Sequence, residues 1–379
     1  MRRNKGAQFE AGIRMISLSF ANVIELSFNS LSYAALLFLL ASGLSLIFGV
    51  MRIVNLAHAA IFLFAGYISL EFYNIIYGDA SILPRIIQAL AWAALYFAWH
   101  SLSKVSGEGR ATLGILGAYI VIEIITSTIW GFNFYELFFP VIKVQKIDKV
   151  SFLALSAAIA VSVVMVALGG MFIERFFLRR FGQDTLAQVL VTIGFAFILQ
   201  DGSLYTWGGD NFIFESPWPF NSSAVIGGIS FPLYRLLMII IAVLVGISLF
   251  FGIDRTRLGA IMRATVDDPE MARGIGINTN IVSMSIFAIG ALLAAIGGVV
   301  GGAFFGVYPG LDFEILPYAF AVVIIGGLGS LVGAVVGSLV VGFMENFGTA
   351  LFPELSYFAL FAPMAIILAI KPTGLFGKG

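Results

Sequence analysis

Long uninterrupted runs of apolar residues dominate the sequence, and most of them reach the length of a membrane-spanning helix. About 20 mostly apolar residues in an α-helix cross the roughly 30 Å hydrocarbon core of a bilayer. Nine runs qualify: 28–50, 53–77, 82–102, 111–137, 151–173, 185–207, 232–252, 280–306 and 355–370. The stretch 315–350 is long enough for two helices, and its glycines predict a broken or re-entrant helix near 326–330.

This pattern predicts an all-α, polytopic membrane protein with about nine to eleven helical passages. The runs are continuous rather than alternating, which excludes a strand-based barrel. The count has a range because segment 11–27 is amphipathic, with Asn22 and Glu25 among apolar residues, and either crosses the membrane or lies in its interface.

Composition supports lipid as the solvent for most of the chain. Of 379 residues, 60% are hydrophobic and 11% charged, and the mean hydropathy is +1.01. Soluble domains carry about 25% charged residues. The 21 basic and 21 acidic residues balance, so no bulk basic charge is available for binding nucleic acid. There is no cysteine and there are only two histidines, which excludes thiolate metal sites and histidine metal clusters.

The distribution of Lys and Arg predicts the orientation in the cell membrane. Basic residues collect in 174–184, in 253–279 and in the Lys371/Lys378 tail, whereas 208–231 has none. Cytoplasmic loops are enriched in Lys and Arg, so these basic segments are expected to face the cytoplasm. Counting crossings backwards from these segments puts the lysine-containing loop 138–150 on the outer face. This conflicts with the enrichment of Lys and Arg in cytoplasmic loops. The basic N-terminus lacks a cleavage pattern and is expected to be retained.

Segment 253–279 carries more structure than a simple connection needs. Asp268 is a good N-cap, Pro269 suits the first helical position, and Glu270 favours the positive end of the helix dipole. Gly274 is expected to take the left-handed position after the helix. A second short helix is predicted from Leu258 to Val266. Two interpretations are open, namely a docking surface for a partner and a solvated basic loop that only fixes topology.

Five separated motifs resemble the ABC-transporter permeases for branched-chain amino acids, and they occur along the chain in the same order as in that family. They are 263–278, 49–58, 173–175, 321–337 and 371–377. The resemblance implies a permease subunit that works by alternating access, driven by cytoplasmic ATPases. It also implies a second, similar permease and an extracytoplasmic solute-binding protein as partners. The residues that it assigns to ATPase docking are Asp268, Pro269, Glu270, Arg273 and Gly274.

Against the family pattern, the chain divides into N-terminal core helices (1–77), an inserted helical pair (78–150) and the remaining core with its coupling loop (151–379). A second departure is Ala59, where the family usually has glycine after the histidine of Asn-x-Ala-His. Urea and short-amide permeases look alike in these motifs, so the substrate class stays open between them and branched-chain amino acids.

Two groups of residues are candidates for the translocation path. Asn55 and His58 are predicted to share a helix face at the membrane boundary, either as a polar hinge or gate, or as a helix cap beside a buried, hydrogen-bonded histidine. Gly326, Gly327 and Gly329 mark the broken helix. Glycine and alanine recur every four residues from 290 to 306, which predicts close helix packing and, as a second interpretation, a substrate path.

Most enzyme chemistry is excluded by missing motifs. No Gly-x4-Gly-Lys-Ser/Thr loop is present, so ATP hydrolysis is expected in partner subunits and this chain is expected to hold no cofactor or metal. No nucleophile elbow or zinc-protease helix occurs. Acidic residues within apolar stretches, namely Glu71, Glu123, Asp201 and Glu345, keep a proton-coupled secondary transporter open as an alternative.

Overall fold

The computed structural model describes residues 20–77, 151–182, 184–214, 216–226 and 228–377. Their α-helices are α1 (Phe20–Met51), α2 (Ala57–Tyr77), α3 (Phe152–Phe176), α4 (Thr185–Trp207), α5 (Leu233–Asp254), α6 (Arg257–Asp267), α7 (Pro269–Gly274), α8 (Thr279–Phe305), α9 (Leu311–Gly326), α10 (Leu331–Leu351) and α11 (Ser356–Ile370). Short 3₁₀ helices occupy Leu178–Phe181 and Pro353–Leu355.

Within the described residues, six helical segments are long and apolar enough to cross a membrane. They are Phe20–Met51, Phe152–Phe181, Thr185–Trp207, Leu233–Ile253, Thr279–Phe305 and Leu331–Leu351. The predicted all-α, multi-pass architecture is therefore confirmed. One small departure is an antiparallel hairpin of β1 (Ser223–Ile226) and β2 (Ile229–Pro232), which immediately precedes α5.

Predicted and observed helices agree closely, with one correction at the first helix. Residues 20–27 are continuous with the rest of α1 and not a separate interfacial segment, whereas 11–19 lie outside the described residues. The runs 82–102 and 111–137 lie outside the described residues, as do Glu123 and the lysines of 138–150. The proposed insertion 78–150 therefore stays a prediction.

Local sequence explains where the spanning helices begin. The first amides of a helix have no partner within it, and a preceding Ser, Asp or Asn side chain satisfies one of them. Ser151 caps α3 in this way, Asp184 caps α4, Asn278 caps α8 and Ser330 caps α10, each by accepting from the amide three residues ahead. Each of these four helices therefore starts at a position that the sequence itself specifies.

One end of the helix bundle gathers the basic segments, and we call it the basic end. Arg179 Nη2 donates to the carbonyl of Asn280 at 3.0 Å, joining the loop after α3 to the first turn of α8. The end of α1 lies at the same level as the α9–α10 link, since a Cβ on Gly49 would lie 2.6 Å from Gly329 Cα.

The opposite end is the neutral end, formed by segment 208–231 and the link between α8 and α9. Phe212 and Val307 exchange two backbone hydrogen bonds of 3.0 and 2.8 Å there. Phe28, near the start of α1, meets the ring of Phe231 at a centroid distance of 5.1 Å. The two ends are thus separated by the length of α8, about 40 Å for its 27 residues.

Helix α8 is the centre of the bundle and packs against α1, α2 and α3. Its small residues permit unusually close approach. A Cβ on Gly298 would lie 2.0 Å from the carbonyl oxygen of Phe62 in α2, and one on Gly290 would lie 2.5 Å from Ile47 in α1. The prediction that the glycine stripe serves close helix packing is confirmed, because no side chain fits at these contacts.

Candidate functional site

The basic end carries two short helices, α6 and α7, between the spanning helices α5 and α8. Thr256 caps α6 by accepting from Gly259 N at 3.2 Å. Helix α6 is amphipathic: Met262 is buried and packs with Val282 and Ile286 of α8, and Leu46 of α1 packs against that cluster. This apolar contact holds α6 flat against the termini of two spanning helices.

The capping predicted for α7 is confirmed at its start. The side chain of Asp268 accepts from Glu270 N at 3.0 Å and from Met271 N at 2.9 Å. Pro269 occupies the first helical position, where the missing amide costs nothing. A six-residue helix thus starts sharply at the position that the sequence specified.

The prediction for the end of α7 was wrong by two residues. Gly274 is the last helical residue, and Gly276 takes the left-handed conformation with φ of 88°. The reason is a Schellman closure: Ile277 N donates to Ala272 O and Gly276 N donates to Arg273 O, both at 3.0 Å. That pairing makes Gly276 the residue after the cap.

The five predicted docking residues differ in the contacts that they make within the chain. Asp268 and Arg273 make contacts within the chain, since Asp268 caps α7 and Arg273 Nε donates to Thr279 Oγ1 at 3.1 Å. Pro269 shapes the first turn. Glu270 and Gly274 are exposed to solvent.

Two apolar residues that could not be assigned from the sequence lie exposed at the end of α7, one in the helix and one at its C-cap. Met271 is 64% exposed and Ile275 is 69% exposed, whereas Ala272 between them is buried. Their four-residue spacing puts them on one side of the helical turn. That spacing, in a short helix outside the long apolar runs, was the available signal. Exposed apolar side chains together in a polar segment mark a contact surface.

The predicted break between α9 and α10 is confirmed. Gly326 ends α9, Gly327 and Gly329 have φ of 100° and 79°, and Ser330 caps α10 by accepting from Gly333 N at 3.0 Å. Such positive φ values favour glycine. The approach of Gly49 to Gly329 leaves no room for a side chain at either position.

The C-terminal segment docks onto this break. Leu375 N donates to Ile325 O and Phe376 N donates to Gly326 O, both at 2.9 Å. The last carbonyls of a helix have no partner within it, so the tail satisfies two acceptors that the break would leave unpaired. In the sequence, 371–377 is recognisable only by resemblance, which does not indicate what it contacts.

The interpretation of Asn55 and His58 needs correction in two respects. Asn55 lies in the link before α2 and not on a helix face, and its side chain accepts from Ala57 N at 3.1 Å. His58 lies in the first turn of α2 and deep in the bundle. It approaches Gly43, which packs against Gly290, and Gly290 lies about 16 Å along α8 from Thr279.

Both residues are completely buried. His58 Nε2 lies 3.0 Å from the carbonyl of Leu40, and because a carbonyl only accepts, this nitrogen carries the proton. The contacts therefore match the second interpretation, in which Asn55 caps a helix and His58 is buried and hydrogen-bonded. His58 Nδ1 and Asn55 Nδ2 have no hydrogen-bond partner in the described part of the chain.

Buried polar groups also lie toward the neutral end. The ring of Tyr67 in α2 stacks on Trp207 at 4.8 Å, and Asp312 lies near enough to act electrostatically on the Tyr67 hydroxyl. Tyr67 OH, Trp207 Nε1 and Asp312 Oδ1 have no hydrogen-bond partner among the described residues. Of the acidic residues predicted within apolar runs, Asp201 is exposed, whereas Glu71 and Glu345 are half-buried.

Comparison with known proteins identifies the family. The model of the family described as branched-chain amino acid transport system / permease component matches residues 26–369. The chain belongs to this family. Its members are transport permease components and not enzymes, and the chain is a multi-pass cell-membrane permease.

Similar curated proteins agree in kind and differ in substrate. The high-affinity branched-chain amino acid permease BraD of Pseudomonas aeruginosa is 31% identical over 238 residues, covering 61% of this chain and 77% of BraD. LivH of Salmonella typhimurium is 26% identical over 365 residues, covering 96% of this chain and 98% of LivH. The ribose import permease RbsC of Escherichia coli is 25% identical over 232 residues, covering 59% of this chain and 68% of RbsC. No solved structure matches the chain.

Proposed function

We propose that this chain is the membrane subunit of an ATP-driven importer for branched-chain amino acids, with its basic end in the cytoplasm. The observation that carries the proposal is α7, a capped helix with an exposed apolar pair, held at the basic end of a permease of this family. The surplus of Lys and Arg supports the orientation.

The surface that meets the ATPase comprises Glu270, Met271, Gly274 and Ile275, all of them exposed. Asp268, Pro269 and Arg273 set its shape and position through the cap, the first turn and the bond to Thr279. An ATPase groove that accepts two apolar side chains beside one carboxylate fits this surface.

Movement of α7 enters the bundle through α8. Only four residues (275–278) separate the two helices, and α6 is packed on α8 by Met262. Interiors packed as closely as the α8 contacts with α1 and α2 move as units. We therefore propose alternating access in which α8 rocks with its neighbours, and the glycine break at Gly326, Gly327 and Gly329 acts as the hinge beside the path.

The contacts of Asn55 and His58 favour a structural role over a gate. Asn55 caps the start of α2, and His58 ties that helix to α1 in the middle of the bundle. A gate at this position would require the His58–Leu40 hydrogen bond to break in each cycle.

The remaining partners are a second, similar permease and an external solute-binding protein. Large apolar side chains are exposed along α3, α4 and α5, examples being Leu168, Leu190 and Leu244. These surfaces suit lipid and a second membrane subunit. The neutral end, with its loop 208–231 and the β1–β2 hairpin, is the side for the binding protein.

Transport by the complete assembly in proteoliposomes tests the proposal. With ATPases, second permease and leucine-loaded binding protein present, labelled leucine should enter only when ATP is supplied to the ATPase side. An imposed proton gradient without ATP should give no uptake, and ribose or urea offered through the same binding protein should not compete. Gradient-driven uptake without ATP would instead establish a secondary transporter.

A further inference from the structure

Glu174, near the end of α3, carries a carboxylate buried at the basic end. Its side chain is 3% exposed, and its partner Arg179 is 32% exposed. Two bonds join them, from Arg179 Nη2 to Oε2 at 2.7 Å and from Nε to Oε1 at 3.3 Å. This two-point geometry fixes the plane of the guanidinium group.

The pair also reaches a third element. The same Arg179 Nη2 donates to the carbonyl of Asn280 at 3.0 Å, in the first turn of α8. The neighbouring residue, Thr279, accepts from Arg273 of the coupling helix α7. Two arginines therefore hold adjacent residues at the start of α8: Arg273 from α7 and Arg179 from the 3₁₀ turn that follows α3.

Helices α3 and α8 also pack closely further into the bundle. A Cβ on Gly170 would lie 2.9 Å from the Cβ of Ala291 and 3.2 Å from Phe287. The Arg179–Asn280 bond closes the basic end of this helix pair. Arg179 makes this bond while both of its bonds to Glu174 are in place, so Glu174 orients the guanidinium group that reaches Asn280.

We infer that Glu174 is a positioning residue for energy coupling: it holds Arg179 on the start of α8, so that movement of α7 displaces α8 and α3 together. The inference rests on the proposed function. Without the Glu174–Arg179 pair, α7 still docks and the ATPase still cycles, but the movement is absorbed at the start of α8 instead of reaching the helix pair. The consequence is ATP hydrolysis with less transport.

Two variants separate this role from a purely structural ion pair. Arg179→Lys keeps a positive charge beside Glu174, but an ammonium group cannot make the planar two-point contact and also reach Asn280. Glu174→Gln keeps the size of the side chain and removes its charge. The matched control is Arg175→Lys, an exposed arginine in the same turn whose guanidinium lies over the ring of Phe176.

The measurement is leucine taken up per ATP hydrolysed, with both rates taken from the same proteoliposomes of the full assembly. Only the hydrolysis stimulated by the leucine-loaded binding protein is counted, since this removes the contribution of unassembled ATPase. The ratio then does not depend on how much protein is correctly folded. Arg179→Lys and Glu174→Gln should each lower the ratio by about threefold or more. Arg175→Lys should leave it at the wild-type value.

Each other outcome has a definite meaning. A wild-type ratio in both variants, with the two rates falling in proportion, overturns the inference and leaves a structural pair only. If only Arg179→Lys lowers the ratio, the Arg179–Asn280 contact still contributes to coupling, but the role of Glu174 is overturned. Absence of ATP-driven uptake in the wild-type assembly would overturn the proposed function itself, independently of these variants.

Discussion

Arg273 donates a hydrogen bond from Nε to Thr279 Oγ1 across the four-residue link between α7 and α8, at 3.1 Å. Thr279 is buried although Arg273 is exposed. The bond and the Schellman closure of α7 make the link rigid. A force on the exposed side of α7 should therefore reach the first turn of α8.

Reversing the charge of Glu270 should stop communication with the ATPase. Glu270→Lys places a cation at the positive end of α7, in the surface proposed to meet the partner. We expect loss of substrate-stimulated ATP hydrolysis with normal membrane insertion, measured on the purified assembly. Asp210→Lys, an equivalent reversal at an exposed site of the neutral end, is the control. Normal stimulated hydrolysis in Glu270→Lys would contradict the docking assignment.

Removing the exposed apolar pair should weaken ATPase binding without weakening the fold. In Met271→Ser/Ile275→Ser, the lost contact area should reduce ATPase affinity about tenfold or more. Because both side chains are mostly exposed, unfolding free energy should change by about 0.5 kcal/mol or less. Val225→Ser, which is 70% exposed on the hairpin at the other end, is the control. Unchanged copurification with the ATPase would remove this pair from the docking surface.

Much of the fold follows from local sequence, because apolar runs and caps act over a few residues. Asp268 and Pro269 specify the start of α7 by themselves, and the break at Gly327 needs only its own glycines. The end of α7 was harder. Gly274 and Gly276 carry the same local signal, and the choice between them depends on which amides close onto Ala272 and Arg273.

The rest of the candidate site depends on contacts between residues far apart in sequence. Nothing around His58 indicates that it meets Leu40 in mid-bundle, since that depends on how the link 52–56 turns inward. Likewise, the tail at Leu375 is recognisable as a motif, but its acceptor, Ile325, is fixed only by packing. Local patterns therefore predict elements, whereas pairing between them requires the assembled bundle.

A single methyl group at Gly43 should strain the centre of the bundle. A Cβ there would lie 2.6 Å from the carbonyl oxygen of Gly290 and 2.9 Å from the ring of His58. We expect Gly43→Ala to cost about 1–3 kcal/mol and to lower the melting temperature of the detergent-purified protein. Gly194→Ala, with nothing within 4 Å, should be neutral or stabilising by up to about 1 kcal/mol. A Gly43→Ala protein that melts at the wild-type temperature would contradict the close contact of Gly43 with Gly290.

Truncation before Lys371 should destabilise the glycine break. It removes the two donors to Ile325 and Gly326, each worth about 1 kcal/mol. We expect a lower melting temperature and faster hydrogen exchange in peptides covering 320–330. Truncation after Gly377 keeps both donors and serves as the control. Equal exchange in the two truncated proteins would contradict a role for the tail in closing the break.

Substitution of His58 distinguishes a structural residue from a gate. His58→Ala removes a fully buried ring and its bond to Leu40, and we expect a loss of about 2–4 kcal/mol in stability. Uptake per correctly folded molecule should stay close to wild type. His58→Gln offers an amide donor near the position of Nε2 and should recover part of the stability. If instead His58→Ala folds normally and transport collapses, the buried ring acts in the path itself, and its unpartnered Nδ1 becomes the atom to examine.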